Sequence, residues 1–162
     1  MQKFSTKKLV YSGLFAAIIV VCAQIQIPLA GMVPISLATF AVMMSGLLLG
    51  WQYGALAVAV YILLGAVGVP VFAGFKGGAA ALMGPTGGYI IGFLFISLIY
   101  WLAVSLFGKK LWAEIVSLVL GLFVCYAFGT FWFMHVYMRQ SGAIGLATAL
   151  SWCVFPFILP DL

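Results

Sequence analysis

Apolar residues run along the chain in long blocks, and short clusters of glycine, proline, lysine and glutamine separate them. Five blocks stand out: Leu9 to Leu29, Ser36 to Leu49, Gly54 to Val69, Gly84 to Phe107, and Leu111 to His135. A helix needs about 20 residues to cross the hydrocarbon of a bilayer. The blocks therefore predict five spans, over residues 9–29, 36–49, 54–69, 84–107 and 111–135. Pro28, Gly31 and Pro34 break the chain between the first two. Gly50-Trp51-Gln52-Tyr53 reads as a tight turn whose two aromatics settle at the headgroup level. Pro70 closes the third block, and Gly108-Lys109-Lys110 turns the chain between the fourth and fifth.

A further apolar run, Ala143 to Leu159, contains Pro156 and is followed by Pro160-Asp161-Leu162. It is either a sixth span with Asp161 cytoplasmic, or a short outer helix after which Asp161 opens a sixth span. Hydrophobic periodicity does not choose between the two.

Composition gives the blocks their setting. The chain is 67% hydrophobic and 6% charged, with a mean hydropathy of +1.31, whereas soluble domains carry roughly 25% charged residues. An all-α integral membrane protein is expected, with residues 1–162 forming a single transmembrane domain. Lys3, Lys7 and Lys8 precede the first block as they would in a secretory signal. That block is long enough to span and a whole membrane domain follows, so it reads as a retained helix.

The formal net charge of +5 bears on orientation. Lys3, Lys7, Lys8, Lys109 and Lys110 fall on one side of the predicted layout, and Lys76 and Arg139 on the other. The positive-inside rule then makes the N-terminus cytoplasmic and puts the stretch around Lys76 outside. No clustered basic face suggests nucleic acid. Cys22, Cys125 and Cys153 lie in apolar segments without metal or redox spacing and read as small buried hydrophobes.

The stretch Pro70 to Phe93, PVFAGFKGGAAALMGPTGGYIIGF, is the polar interruption in this pattern. Gly84-Pro85-Thr86-Gly87-Gly88-Tyr89 reads as a helix start, with Gly84 as cap and Pro85 at the first helical position. The amides of Thr86, Gly87 and Gly88 would then face an anionic or carbonyl oxygen. Packing competes with that reading. Gly84, Gly88 and Gly92 recur every four residues and would share a helix face, as would Gly46, Gly50 and Gly54, letting helices approach closely. Gly92 is assigned to packing; for Gly84, Gly87 and Gly88 both readings stand.

Gly13 and Ala17, broadened by Ala16, form a small-residue face on the first span, suited to packing in the bundle or to docking on another membrane subunit. Gln24 and Gln26, with Ser36 and Thr39, either bond between helices or line a site that reads a polar ligand edge. Trp51 reads as an interface anchor, and His135, alone among aromatics, as structural. Glu114 and Asp161 are the only acids. No catalytic constellation is formed, so no catalytic residue, no metal and no resident cofactor is expected. Neither an ATPase motif nor an intramembrane proton relay is present, so uphill transport calls for energy from another subunit. A stand-alone secondary transporter or channel for a small vitamin-like molecule is the alternative.

These residues resemble the BioY family, the biotin-specific S component of energy-coupling-factor (ECF) vitamin transporters. The resemblance rests most on Gly84-Pro85-Thr86-Gly87-Gly88-Tyr89 with Gly92-Phe93, and on Gly68-Val69-Pro70-Val71-Phe72-Ala73-Gly74 with Gly77-Gly78. Ala23-Gln24-Ile25-Gln26-Ile27-Pro28, Val33-Pro34-Ile35, Thr39-Phe40-Ala41-Val42, Leu47-Leu48-Leu49-Gly50, Pro156-Phe157 and Pro160-Asp161-Leu162 add to it. The resemblance implies a six-transmembrane-helix bundle in a prokaryotic cell membrane that binds biotin from outside. It also implies association with an EcfT-type membrane coupling subunit and two cytoplasmic ATPase subunits, with Gly13 and Ala17 packing on the coupling subunit. Release of the vitamin inside would follow toppling of the bundle.

In that family the sixth helix starts at Pro-Asp-Leu and carries a lysine soon after. The expectation is therefore that Ala143 to about Phe155 is a short outer helix, that a sixth span starts near Pro160, and that this span is largely missing here. Pro160 stands where the family often has glycine, and Ala38 where it often has glutamine. The site implied comprises Gly84, Thr86, Gly87, Gly88, Tyr89, Gln24, Lys76 and Asp161. Asp161 would accept from the ureido N–H groups, Tyr89 would pack on the bicyclic ring, and the amides of residues 86–88 would receive an oxygen. Lys76 is a candidate for the carboxylate.

Overall fold

The computed structural model describes residues 6–27, 34–141, 145 and 148–150. Its elements, in chain order, are α1 (Thr6–Gln24), β1 (Gln26–Ile27), β2 (Ile35–Ser36), α2 (Ala38–Leu49), α3 (Trp51–Val67), α4 (Ala79–Met83), α5 (Gly87–Phe107) and α6 (Leu111–Ser141). β1 and β2 pair antiparallel, with Gln26 opposite Ser36 and Ile27 opposite Ile35.

Among the described residues, three helices, α1, α5 and α6, are long and apolar enough to cross a membrane. The second and third blocks give shorter helices, of 12 and 17 residues. At about 1.5 Å per residue, α2 reaches only about 18 Å, short of the ~30 Å hydrocarbon core. It starts late because Ile35 and Ser36 are taken by the ladder with β1. The fifth block runs past His135 to Ser141; the next residue in the sequence, Gly142, is the first helix breaker the chain offers there.

The turn expected over residues 50–53 is a single residue. Gly50 alone turns the chain, at φ +81°, and α3 starts at Trp51. A positive φ is open to glycine at little cost. The break corrects the expectation that Gly46, Gly50 and Gly54 share one helix face. Gly46 and Gly54 instead oppose each other across the α2–α3 contact, where a Cβ on Gly54 would lie 2.8 Å from the Gly46 Cα.

The core collects Ile19 of α1, Val42 of α2, Val58 and Tyr61 of α3, Phe93 and Ile96 of α5, and Cys125 of α6. Small residues set its spacing. A Cβ on Gly92 would come within 2.6 Å of the Cys125 Sγ, and one on Gly121 within 2.9 Å of the Ile96 Cα. The outward faces carry large apolar side chains such as Phe40, Leu48, Leu63 and Phe123, as a lipid-facing surface requires.

Among the described residues, buried side-chain polar groups are matched. The Ser12 hydroxyl on α1 is within bonding reach of the Lys8 and Tyr53 carbonyls, at 3.1 and 3.0 Å, and the Lys8 ammonium sits 5.4 Å over the Tyr53 ring. Ser12→Ala is expected to lower stability by about 1 kcal/mol, the net worth of one such bond. Thermal unfolding in detergent checks it; an unchanged melting curve would show that the α1–α3 contact does not use this hydroxyl.

Candidate ligand-binding site

The site is built at the ends of α1, α3 and α5, around the segment that the sequence marked as polar. α3 stops at Val67 because Gly68 adopts the left-handed cap, φ +113°. The next residues fold back as a small hairpin in which Phe72 and Lys76 exchange backbone bonds, at 2.9 and 3.2 Å. Phe72 is buried and meets Tyr61 edge-on, with ring centroids 5.5 Å apart. Its ring occupies the space beside Gly65 that any side chain there would fill. The Gly78 amide donates to the Gly65 carbonyl at 2.7 Å, returning the loop to the end of α3.

The short helix α4, unforeseen from the sequence, leads into the Gly84-Pro85-Thr86 turn. The helix start lies two residues later than expected: Thr86 is the N-cap and α5 begins at Gly87. Gly87 donates to the Gly84 carbonyl at 3.1 Å, and Tyr89 to that of Thr86 at 3.1 Å. Pro85 therefore belongs to the turn, and Gly84 lies outside the helix face shared by Gly88 and Gly92. The turn is braced from α6 by Trp132, whose indole N–H donates to the Gly84 carbonyl at 3.1 Å.

A cavity of about 60 Å³ opens beside this turn. Thr86, Tyr89, Ile90 and Phe93 wall it from the start of α5, and Tyr61 from α3. Ala38 and Thr39 come from the start of α2, with Pro34 and Ser36 just before it. Ala23 closes it from α1, Ala73 from the loop, and Cys125 and Tyr126 from α6. Apolar walls with a few hydroxyls are the usual make-up of a small-molecule site. The Tyr89 hydroxyl is 3.1 Å from the Thr130 Oγ1, and the Cys125 thiol reaches the Tyr89 carbonyl at 3.7 Å. A larger groove of about 440 Å³, lined by Trp51 and Trp101, lies between α3 and α5 towards their other ends.

Of the residues singled out by sequence, Thr86 and Tyr89 line the cavity. Ser36 and Thr39, for which lining a site was one of two readings, do so as well. Gly84, Gly87 and Gly88 are adjacent but are occupied with the scaffold. A Cβ on Gly87 would strike the Leu82 carbonyl, and one on Gly88 the Trp132 side chain. Gln24 bonds to the backbone of the 71–75 loop, and Lys76 sits exposed in the hairpin. Gly13 and Ala17 are exposed on α1, with no heavy atom within 4 Å of a Cβ built on Gly13. Asp161 and the sixth span lie outside the described residues. Of the outer helix expected near 143–155, residues 145 and 148–150 are described, with 148–150 helical and the Ala149 amide donating to the Gly145 carbonyl at 3.0 Å.

Sequence reasoning missed Tyr61, Phe93, Cys125 and Tyr126 as walls, and Trp132 as a brace. One signal was legible: Gly121, Cys125 and Gly129 recur every four residues, a small-residue face on α6 that complements Gly88 and Gly92 on α5.

Fold and site together define a helical membrane protein with an apolar pocket at one end of its bundle, closed on one side by a folded-back loop. The chain belongs to the BioY family, whose family model matches residues 1–162. It is 44% identical over 156 residues to the biotin transporter BioY of Thermotoga maritima, covering 96% of this chain and 88% of that one. A probable biotin transporter BioY of Pyrococcus horikoshii is 41% identical over 150 residues, covering 93% and 84%. Among solved structures, the S-component for biotin from an ECF-type ABC transporter matches with a TM-score of 0.83 and 29% identity. That match covers 98% of this chain and 87% of the other.

Proposed function

We propose that this protein captures biotin from outside the cell and acts as the substrate-specificity subunit of an ATP-driven ECF transporter. The observation that carries the reading is the cavity at the Gly84–Tyr89 turn, walled by Thr86 and Tyr89, in a chain similar along nearly all its length to named biotin transporters. The protein is then a transporter subunit and not an enzyme. Biotin is its cargo, no resident cofactor is involved, and ATP hydrolysis falls to two partner ATPase subunits joined through an EcfT-type coupling subunit. The exposed Gly13–Ala17 face of α1 supports a membrane partner, since small residues let a neighbouring helix come close. The protein is then a multi-pass protein of a prokaryotic cell membrane, and the lysine distribution supports an N-terminus in the cytoplasm.

Biotin offers an apolar thiophane ring, a ureido group with two N–H donors and a carbonyl, and a carboxylate. In this proposal the Tyr89 ring packs on the bicycle and Thr86 and Gly88 meet an oxygen, the Gly87 amide being taken by the Gly84 carbonyl. Asp161 accepts from the ureido N–H groups, and Lys76 pairs with the carboxylate. Ala73 is a wall of the cavity carried by a loop.

Purified protein in nanodiscs is expected to bind radiolabelled biotin saturably, and Asp161→Asn is expected to weaken it. No saturable binding by the unaltered protein would sink the assignment. Biotin uptake by vesicles lacking every coupling subunit and ATPase would favour the stand-alone transporter.

A further inference from the structure

We propose that Gln24 is a latch: it holds the 69–78 loop closed over the cavity and so sets how long a ligand stays, without touching the ligand. The inference rests on the reading of the cavity as the biotin site.

Gln24 is the last residue of α1, and its carboxamide is spent on the loop. Its Nε2 donates to the carbonyls of Val71 and Phe72, at 3.1 and 3.2 Å. Its Oε1 accepts from the Phe75 amide at 3.0 Å. One side chain thus satisfies three backbone groups that lie on either side of Ala73, the cavity wall. Few side chains can do this, because the task needs donors and an acceptor on one planar group. A carboxylate of the same length could accept from Phe75 but would set its charge against two carbonyl oxygens.

The loop also carries a feature that calls for a latch. Phe75 has φ +55°, the one positive value at a non-glycine position among the described residues. Such a backbone is costly and persists where the surroundings impose it. The Phe75 ring cannot supply that constraint, being 72% exposed. The contact from Gln24 to the Phe75 amide can. On the other side of Ala73, Phe72 is wedged against Tyr61, itself a wall of the cavity. Freed from Gln24, the loop would lift Ala73 and Phe72 together and open the pocket at a point where no helix has to move.

The test uses the full chain in nanodiscs, with Gln24→Ala and the isosteric Gln24→Glu, each checked for folding by size exclusion. Amide hydrogen exchange is read first without ligand. Exchange across residues 69–78 should quicken roughly tenfold, as expected for a lost hydrogen bond worth about 1.4 kcal/mol, while exchange in α5 and α6 stays unchanged. Dissociation of radiolabelled biotin should quicken by a similar factor in both variants.

Unchanged loop exchange in a folded Gln24→Glu protein overturns the latch, and so does weakened binding with unchanged loop exchange, since Gln24 would then be a ligand contact. Faster loop exchange with unaltered biotin dissociation overturns the retention role. The functional reading fails separately, through absence of biotin binding by the unaltered protein.

Discussion

Gly88→Val is expected to abolish biotin binding and to destabilise the unliganded protein at the same time. A Cβ at this position would strike the Trp132 Cβ, lie 2.7 Å from the Trp132 Cγ and come within 3.2 Å of the Gly129 Cα. These atoms are backbone or the rigid base of a side chain, so rotamer changes cannot clear them. α6 would have to move away from α5. That displacement strains the Trp132 bond to the Gly84 carbonyl and shifts Thr130 from the Tyr89 hydroxyl and Cys125 from the cavity wall. Overpacking of a tight core costs about 1–3 kcal/mol, and valine adds two methyl groups beyond the first clash.

The measurement pairs thermal unfolding of unliganded protein with a biotin binding isotherm. Loss of binding at an unchanged melting temperature would make Gly88 a ligand contact and not a packing position. Retained affinity at an unchanged melting temperature would refute the α5–α6 contact itself.

How far the sequence reaches is clear from such residues. The apolar blocks gave away the helices because water-soluble alternatives were closed to them, and the glycine-rich stretch gave away the end of the bundle where the site lies. Within a span, however, nearly every residue is apolar, so no polar stripe separates the core face from the lipid face. Phe93 lines the cavity while Leu98 on the same helix is exposed, and nothing in their chemistry distinguishes them. Small residues were the legible exception, since a glycine leaves a gap that a neighbouring helix fills.

Breaks were harder to place than blocks. Gly50 sits inside a regular four-residue glycine series, yet its backbone conformation ends one helix and starts another. Gln24 illustrates a different limit. Its partners are carbonyls and an amide about 50 residues away, and backbone groups look the same at every position in a sequence. The chain posed a choice between a bond across helices and a ligand contact, and the side chain goes instead to a loop that neither reading named.

Tyr89 is where ring and hydroxyl make separable predictions. The side chain is 8% exposed, its ring packs where Gly129 leaves room on α6, and its hydroxyl meets Thr130 at 3.1 Å. If the ring is the platform for the biotin bicycle, Tyr89→Ala removes a cavity wall and its packing on α6 together. Aromatic-to-alanine changes in cores cost about 3–5 kcal/mol, and biotin affinity is expected to fall at least ~100-fold, or about 2.7 kcal/mol. Tyr89→Phe keeps the ring and forgoes one hydrogen bond, a loss of about 1 kcal/mol, so its affinity should stay within roughly tenfold of the unaltered protein. Thr130→Val deletes the same bond from the other side and should match Tyr89→Phe in both melting temperature and affinity. A Tyr89→Phe variant that loses as much affinity as Tyr89→Ala, with Thr130→Val unaffected, would transfer recognition from the ring to the hydroxyl and give that hydroxyl a ligand partner in the bound state.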